Sequence, residues 1–513
     1  MNDKTENTRR LAKNTLLLYG RSLFNLFVAL YSSRLVLQAL GVVDYGINNV
    51  VGGFVSMFWL VTGSLSGAIS RFLTYELGRG DQRQLDKVFS ISLNILLVSA
   101  LIALILAETF GVWYVRNRLN IPDDRDAAAL VVFHFSILTV ITGFILVPYN
   151  ASIIAHEKMG FYAYVGIGET LIKLVIAIFL VYGKYTVDRL ILYSLLWTLA
   201  TLAMQGAAML YCRKHFTECR FRMIFEKKTF LDLFSYAGWS FIGSISSTFS
   251  GQGVSIILNR MFGPVINAAR GLTGTVANTI AIFVNNFSMA LKPQVTKAYA
   301  TGELDYMKFL VFRGSKFSFF IMFFFVLPIS LETAYVLDLW LVEYPDHTIS
   351  FIRLSMLTNT CNLMYLYFTM AQQATGDIKR YQLVISIFSF IIFPLSYVFL
   401  KLGTPPEIVY VIGFVISLCI TAWTLITVKK SLGFRISEAF RQVYFKLFLV
   451  VLTATPVPLI LHLLLPYGLV RFLIVGTACV LCTCMSVFWL GCNVGEREYI
   501  LNSASNYLKR FRK

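Results

Sequence analysis

Residues 127–149 read AAALVVFHFSILTVITGFILVPY, a run with one histidine and no Asp, Glu, Lys or Arg. A helix of about 20 mostly apolar residues is long enough to cross the ~30 Å hydrocarbon core of a bilayer. Similar runs recur from end to end of the 513-residue chain, which is 57% hydrophobic and 14% charged. Soluble domains carry about 25% charged residues. The sequence therefore predicts an all-α, polytopic integral membrane protein with about fourteen transmembrane helices.

The connections between these spans are short, and this excludes several classes of protein. The longest internal connection, 212–230, is too short for a nucleotide-binding or glycosyltransferase domain, which needs at least ~50 residues. The sequence has no phosphate-binding loop, no zinc-protease motif and no supported catalytic triad. We therefore predict no enzyme activity, no cofactor and no metal site. The predicted spans are 12–38, 47–73, 88–110, 127–149, 161–182, 189–211, 231–258, 266–291, 309–332, 349–372, 381–400, 408–428, 443–465 and 469–492.

The net charge of +18 is distributed unevenly along the chain. If the N-terminus is cytoplasmic, most of the 45 Lys and Arg residues fall in cytoplasmic loops and tails, for example between residues 213 and 228. The opposite loops hold few, among them Arg116, Arg118 and Arg125. This is the positive-inside bias of membrane proteins. It predicts a multi-pass protein of the inner (plasma) membrane with both termini cytoplasmic, and it argues against nucleic-acid binding.

The eight cysteines do not indicate a disulfide framework. Cys479 and Cys482 form a Cys-x-x-Cys inside the last apolar span, which lacks the solvent-accessible setting of a redox motif. We expect them to serve packing.

The chain shows a weak repeat after about 220 residues, a pattern typical of transporters built from paired halves. The repeat predicts four segments: an N-terminal six-helix bundle at 1–211, a basic cytoplasmic linker at 212–230, a C-terminal six-helix bundle at 231–428, and an extra helix pair with a cytoplasmic tail at 429–513. The matched positions are Gly20 with Gly238, Gly41 with Gly263, Gly80-Asp81 with Gly302-Glu303, and Glu108-Thr109 with Glu332-Thr333.

Six segments resemble the Wzx-type polysaccharide flippases of the multidrug/oligosaccharidyl-lipid/polysaccharide (MOP) exporter superfamily. The resemblance implies two six-helix bundles around a central cavity, alternating access, and outward movement of undecaprenyl-diphosphate-linked oligosaccharide for O-antigen, capsule or exopolysaccharide assembly. The extra helix pair is more similar to the fourteen-helix lipid II flippases of that superfamily. The six segments are 14–20, LGVVDYG at 40–46, RFLTYELGRGD at 71–81, PYNASIIAHEKM at 148–159, NAARG at 267–271 and PQVTKAYATGE at 293–303.

Charged and amide side chains inside the spans are the candidate site residues, because such groups are costly in a bilayer unless they face a cavity or a partner. Arginine suits a diphosphate, since its planar fork binds phosphate oxygens bidentately and stays protonated. Apart from Asp232 at the edge of the seventh span, no Asp or Glu lies within the first, second, seventh or eighth span, so a cavity walled by these spans is expected to be positive. The candidate substrate-binding residues are Arg21, Asn25, Arg34, Asn48, Arg270, Asn278 and Asn285.

Glu169 and Lys173 lie four residues apart in the fifth span, which is a favourable order for an ion pair. Two interpretations stay open, a structural pair and a coupling site for H⁺ or Na⁺. Glu108 and Glu332 each end a span at the predicted outer surface, and both are expected to be interfacial.

Three alternatives remain beside the polysaccharide flippase. Lipid II is the second candidate cargo. A multidrug/cation antiporter of the same superfamily is disfavoured, because such pumps need a carboxylate in the cavity helices. A scaffold protein without transport activity would tolerate loss of every intramembrane arginine. The expected partners are the lipid-linked oligosaccharide and membrane lipid, and a polysaccharide polymerase remains an open possibility.

Overall fold

The computed structural model describes residues 17–501 apart from 26, 29–30, 33–34, 37, 42–43, 45–46, 49–50, 52–57, 119–122, 184–186, 221, 223, 225, 342–343 and 499–500. The described residues between 17 and 51 are helical. Beyond them the fold is a series of helices, without a strand in the described part of the chain. The helices are α1 Trp59–Arg79, α2 Gln82–Leu106, α3 Val112–Arg118, α4 Asp126–Ala155, α5 Met159–Tyr182, α6 Arg189–His215, α7 Lys227–Phe262, α8 Pro264–Ala300, α9 Leu304–Leu331, α10 Thr333–Trp340, α11 Thr348–Thr375, α12 Lys379–Lys401, α13 Ile408–Leu432, α14 Ile436–Ala439, α15 Phe445–Ala454, α16 Pro456–Leu464 and α17 Leu469–Ser486.

Ten helices within the described residues are long and apolar enough to span a membrane. This confirms the predicted all-α, polytopic membrane protein. The predicted spans at 266–291 and 349–372 are also helical, within α8 and α11. The first two predicted spans lie partly outside the described residues.

The chain divides into two compact units. Unit 1 comprises Met1–Ser244 and Met289–Gly302, and unit 2 comprises Ile245–Ser288 and Glu303–Lys513. In unit 1, α4 packs against α1, α2 and α6, and α5 packs against α6. In unit 2, α11 packs against α9 and α13, and α17 packs against α9, α15 and α16. The six-helix bundles predicted at 1–211 and 231–428 stay a prediction, because they were defined by a sequence repeat and not by compactness.

Two of the matched glycine pairs share an unusual backbone conformation. Gly41 and Gly263 have φ of +77° and +83°, and Gly80 and Gly302 have φ of +72° and +77°. Positive φ at these values is strained for residues with a Cβ, so glycine is preferred. At Gly80 the left-handed turn ends α1, because its N–H bonds back to the carbonyls of Glu76 and Leu77. Both members of each pair therefore share a backbone conformation that favours glycine.

The C-terminal helix pair is tied to α9 by buried charges in unit 2. The carboxylate of Glu496 lies 3.0 Å from Lys316 Nζ and 3.0 Å from Arg313 Nε. The side chains of Lys316 and Glu496 are only 3% and 7% exposed. Since a buried charge is tolerated only when it is paired and hydrogen-bonded, these contacts hold the end of the chain against α9.

Glu332 is a buried carboxylate at the end of α9. Its side chain is 1% exposed, and it accepts hydrogen bonds from His462 Nδ1 at 2.7 Å and from Arg471 Nη2 at 2.9 Å. Its repeat counterpart Glu108 has a side chain that is 43% exposed and lies 3.4 Å from His134. The interfacial position stays a prediction for both residues, but only Glu332 is buried, because both of its partners come from the extra helix pair.

We predict that Glu332→Ala destabilises the protein much more than Glu108→Ala. Removing one partner of a buried ion pair costs about 3–5 kcal/mol, whereas an exposed pair contributes about 0–1 kcal/mol. Thermal unfolding of the two purified variants in detergent measures the difference. Equal losses of stability would mean that Glu332 does not hold the extra pair in place.

Candidate functional site

Unit 1 contains a cavity of about 460 Å³. Its walls come from α4, α5 and α6, together with Arg21 and Asn48 of the N-terminal helical segment. The volume falls in the range of about 300–1,000 Å³ that is usual for ligand sites. Four sequence-predicted residues, Arg21, Asn48, Glu169 and Lys173, line this one cavity.

Arg21 lies against α5 at the cavity wall. Its guanidinium carbon is 4.7 Å from the ring centre of Tyr162. A Cβ added at Gly166 would be 2.8 Å from Arg21 Nε and 3.1 Å from Cζ. Only glycine therefore lets α5 approach the guanidinium so closely. Asn25, one helical turn further on, has a buried amide oxygen that accepts no hydrogen bond from the described residues.

Glu169 carries the carboxylate of the cavity, and Arg21 and Lys173 are the cations that act on it electrostatically. Lys173 lies over Trp197 of α6, with Nζ 5.3 Å from the ring centre. Cations are attracted to the faces of such rings. Two cations and one carboxylate leave the charged lining with a net charge of +1. The charged lining is therefore positive overall, but it also contains one carboxylate, that of Glu169 in the fifth span.

Neutral polar side chains make up much of the remaining lining. Among the described residues, Arg21 Nε and Gln205 Oε1 are buried at this wall without a hydrogen-bond partner. Buried polar atoms are nearly always satisfied in proteins, so such groups are candidates for binding a ligand. The neutral hydroxyl and amide residues are Asn48, Ser136, Thr139, Asn150, Ser194, Thr198, Thr201 and Gln205.

The start of α6 is fixed by Asp188. Its carboxylate accepts hydrogen bonds from the backbone N–H groups of Leu190 and Ile191, as an N-cap residue does. Arg125 donates to Asp188 and also to Asp44, with Nε 2.8 Å from Asp44 Oδ1. Burial opposes the charged form of Asp188, but the hydrogen bonds from Arg125 and the helix hold its pKa below the usual range. This network sets the position from which Trp197 and Gln205 reach the cavity.

The other predicted site residues lie elsewhere. Arg270 belongs to unit 2, where its Nη2 donates to the carbonyl of Gly251 at 3.0 Å and its guanidinium lies 5.9 Å from the ring centre of Tyr410. Asn278 and Asn285 are exposed on α8 in the same unit. An exposed polar stripe on a membrane helix indicates a water-filled space and not lipid. Arg34 lies outside the described residues.

The sequence model of the family described as "Polysaccharide biosynthesis protein" matches residues 11–299. This chain belongs to that family. The comparison with curated proteins found no match.

This member of the polysaccharide biosynthesis family is similar in fold to several solved structures. One is a MATE protein in a straight conformation, with a TM-score of 0.71 and 11% sequence identity; the match covers 83% of this chain and 97% of that protein. An outward-facing multidrug resistance MATE transporter of the MOP superfamily matches with a TM-score of 0.70 and 14% sequence identity. This match covers 83% of this chain and 96% of the transporter. A MOP superfamily transporter from Pyrococcus furiosus matches with a TM-score of 0.69 and 11% sequence identity, over 83% of this chain and 97% of the transporter. For that transporter, a binding pocket of reversed polarity suggests a different function. The fold of this chain is therefore similar to that of MATE and MOP superfamily transporters.

Several cavity residues could not be singled out from the sequence. Tyr162, Trp197 and Gln205 lie in apolar spans where aromatic and single amide side chains commonly serve packing. Gly166 is one of several glycines in the fifth span. One pattern in the sequence does point to the cavity wall formed by α5. Gly166 and Glu169 lie three residues apart, which places a small and a charged residue on the same helix face.

We predict that Gly166→Ala destabilises the protein through Arg21. The new methyl group would force the guanidinium away from Tyr162, and the lost cation–π contact costs about 0.5–2 kcal/mol. Gly206→Ala on α6 is the matched control, because a Cβ there meets no atom within 4 Å. Thermal unfolding of the single variants and of Gly166→Ala/Arg21→Ala measures this. The double variant should unfold at no lower temperature than Arg21→Ala alone. If the losses of unfolding temperature in the two single variants add up in the double variant, the proposed clash with Arg21 is wrong.

Proposed function

We propose that this protein is a flippase that moves an undecaprenyl-diphosphate-linked oligosaccharide from the inner to the outer leaflet by alternating access, for assembly of a surface polysaccharide. The observation that carries the proposal is the unit 1 cavity. It combines two cations, ring faces and many hydroxyl and amide groups in a member of a polysaccharide biosynthesis family. Aromatic faces with hydrogen-bonding side chains suit sugars, and cations suit phosphate or acidic sugars.

Each part of the cavity has a role in this proposal. Arg21 and Lys173 attract the anionic part of the cargo, and the neutral polar wall binds hydroxyl groups of the glycan. Arg270, Asn278 and Asn285 supply the polar surface of unit 2. Glu169 lies beside both cations, which makes it the candidate site for a coupling H⁺ or Na⁺. Lipid II remains the alternative cargo.

A cation antiporter is the second candidate function, and Glu169 is the observation that favours it. A carboxylate does line the cavity, and the fold is shared with a multidrug resistance transporter. Against this, the two neighbouring cations leave the charged lining positive, which repels a cationic drug.

We expect Arg21→Ala to abolish most glycan export while membrane protein levels stay near normal. A charge-assisted hydrogen bond contributes about 1.5–3 kcal/mol, or roughly ten- to a hundred-fold in affinity. Arg21→Lys should restore export only in part, because it keeps the charge and loses the planar fork. Arg270→Ala should also reduce export, whereas Arg260→Ala, at an exposed position at the end of α7, should not.

The measurement is surface polysaccharide normalised to membrane protein, together with efflux of a cationic dye. Normal export by well-expressed Arg21→Ala would remove the basis of the flippase proposal. Dye efflux that Glu169→Gln abolishes, with no change in export, would favour the antiporter.

The proposed orientation places both termini in the cytoplasm, following the positive-inside bias. Cysteines introduced at Asn117 or Asp346, which are exposed, should react with an impermeant thiol reagent in whole cells. A cysteine at Lys227, exposed at the start of α7, should react only after the cells are opened. The reverse labelling pattern would overturn the orientation.

A further inference from the structure

The end of α8 that belongs to unit 1 is enclosed by protein on almost every side. Ala290 and Leu291 are 1% exposed, Val295 is fully buried, and Ala298 is 4% exposed. A Cβ at Gly78 of α1 would be 2.9 Å from the Cβ of Ala300, which shows how closely the two helices pack. Two lysines, Lys292 and Lys297, project from this enclosed segment.

Lys297 is neutralised. Its Nζ lies 3.0 Å from Glu157 Oε1, and the Glu157 side chain is only 2% exposed. Gln294 Nε2 lies 3.5 Å from the other carboxylate oxygen. Glu157 has φ of +57° in the turn between α4 and α5, a conformation that a non-glycine residue adopts at a cost. Glu157 therefore adopts an unfavourable backbone conformation in the position where its carboxylate pairs with Lys297.

Lys292, five residues earlier on the same helix, has no such partner. Among the described residues none forms an ion pair or a side-chain hydrogen bond with it, and no charged group is close enough to act on it electrostatically. Its side chain is partly accessible, while its neighbours along the helix are buried. An uncompensated ammonium group in an enclosed segment is costly to maintain, and such charges mark binding sites in membrane proteins.

We infer that Lys292 binds the phosphate of an anionic prenyl-diphosphate head group. The inference rests on the proposed function, and it adds a binding residue that is separate from the residues lining the unit 1 cavity. A lysine ammonium is a compact charge with three donors and binds phosphate as a point charge. Lys292 directly follows the predicted span 266–291, on the proposed cytoplasmic side, where a head group from the inner leaflet would enter.

The pair of lysines provides a matched test. Lys292→Met and Lys297→Met each replace a lysine by an unbranched neutral side chain on the same helix. Without ligand, Lys292→Met should unfold at the same temperature as the original protein or higher, because an uncompensated charge is removed. Lys297→Met should unfold earlier, because the buried ion pair with Glu157 is lost.

The binding arm uses purified full-length protein in detergent with inorganic pyrophosphate, farnesyl diphosphate, and sodium chloride at matched ionic strength. At least one of the two diphosphates should raise the unfolding temperature of the original protein and of Lys292→Arg. Lys292→Met should bind it at least about tenfold more weakly. A response to farnesyl diphosphate alone would assign the site to a lipid head group, and a response to both would assign it to the diphosphate itself.

Three results would overturn the inference: no response to either diphosphate, unchanged affinity in Lys292→Met, or early unfolding of Lys292→Met without ligand. Because the assay requires no transport, its outcome is separable from that of the proposed function. Lys292-dependent binding by a protein that exports no glycan would leave the site standing and remove the flippase.

Discussion

Hydrocarbon offers no hydrogen bonds, and this constraint shapes the described part of the protein. The backbone satisfies itself within helices, which is why a chain of this composition forms no strand in its described part. Hydroxyl side chains bond back to their own helix, as Thr360 does to the carbonyl of Met356 and Thr421 to that of Ser417. Buried charged side chains such as Glu332 and Glu496 take their partners from other segments, and these pairs decide which helices lie together.

Cations in both units bond to protein oxygens, as Arg125 and Lys297 do in unit 1, whereas Arg21 and Lys173 form no such bond with the described residues. In unit 2, the cations bond to protein oxygens: Arg270 to the Gly251 carbonyl, Arg353 to the Ser330 carbonyl, Arg313 and Lys316 to Glu496, and Arg471 to Glu332. In unit 1, Arg21 and Lys173 lie over aromatic rings beside a cavity. A ring face stabilises a cation without using its N–H donors. The donors of these two side chains therefore remain available to a ligand.

Much of the fold follows from the sequence, because an apolar run of sufficient length has few options other than a membrane helix. The left-handed turns at Gly41 and Gly263 also follow from glycines that match across the repeat. The candidate site can be predicted from the sequence less well than the fold. Arg21 and Glu169 are each conspicuous as intramembrane charges, yet nothing in the sequence indicates that α5 brings them to one cavity. Glu108 and Glu332 occupy matching positions but differ in burial, because the partners of Glu332 come from outside the repeat.

The extra helix pair explains this asymmetry between matching positions. His462 and Arg471 neutralise Glu332 near one end of α9, and Glu496 neutralises Lys316 and Arg313 further toward the other end. A buried pair adds little net stability over apolar packing, but losing one partner is costly, so such pairs fix geometry. The extra pair thus braces α9 with contacts that its repeat counterpart α2 lacks at Glu108. Charge that is held in such pairs is not available to cargo, which leaves Arg21 and Lys173 at the unit 1 cavity as the side chains best able to meet an anionic ligand.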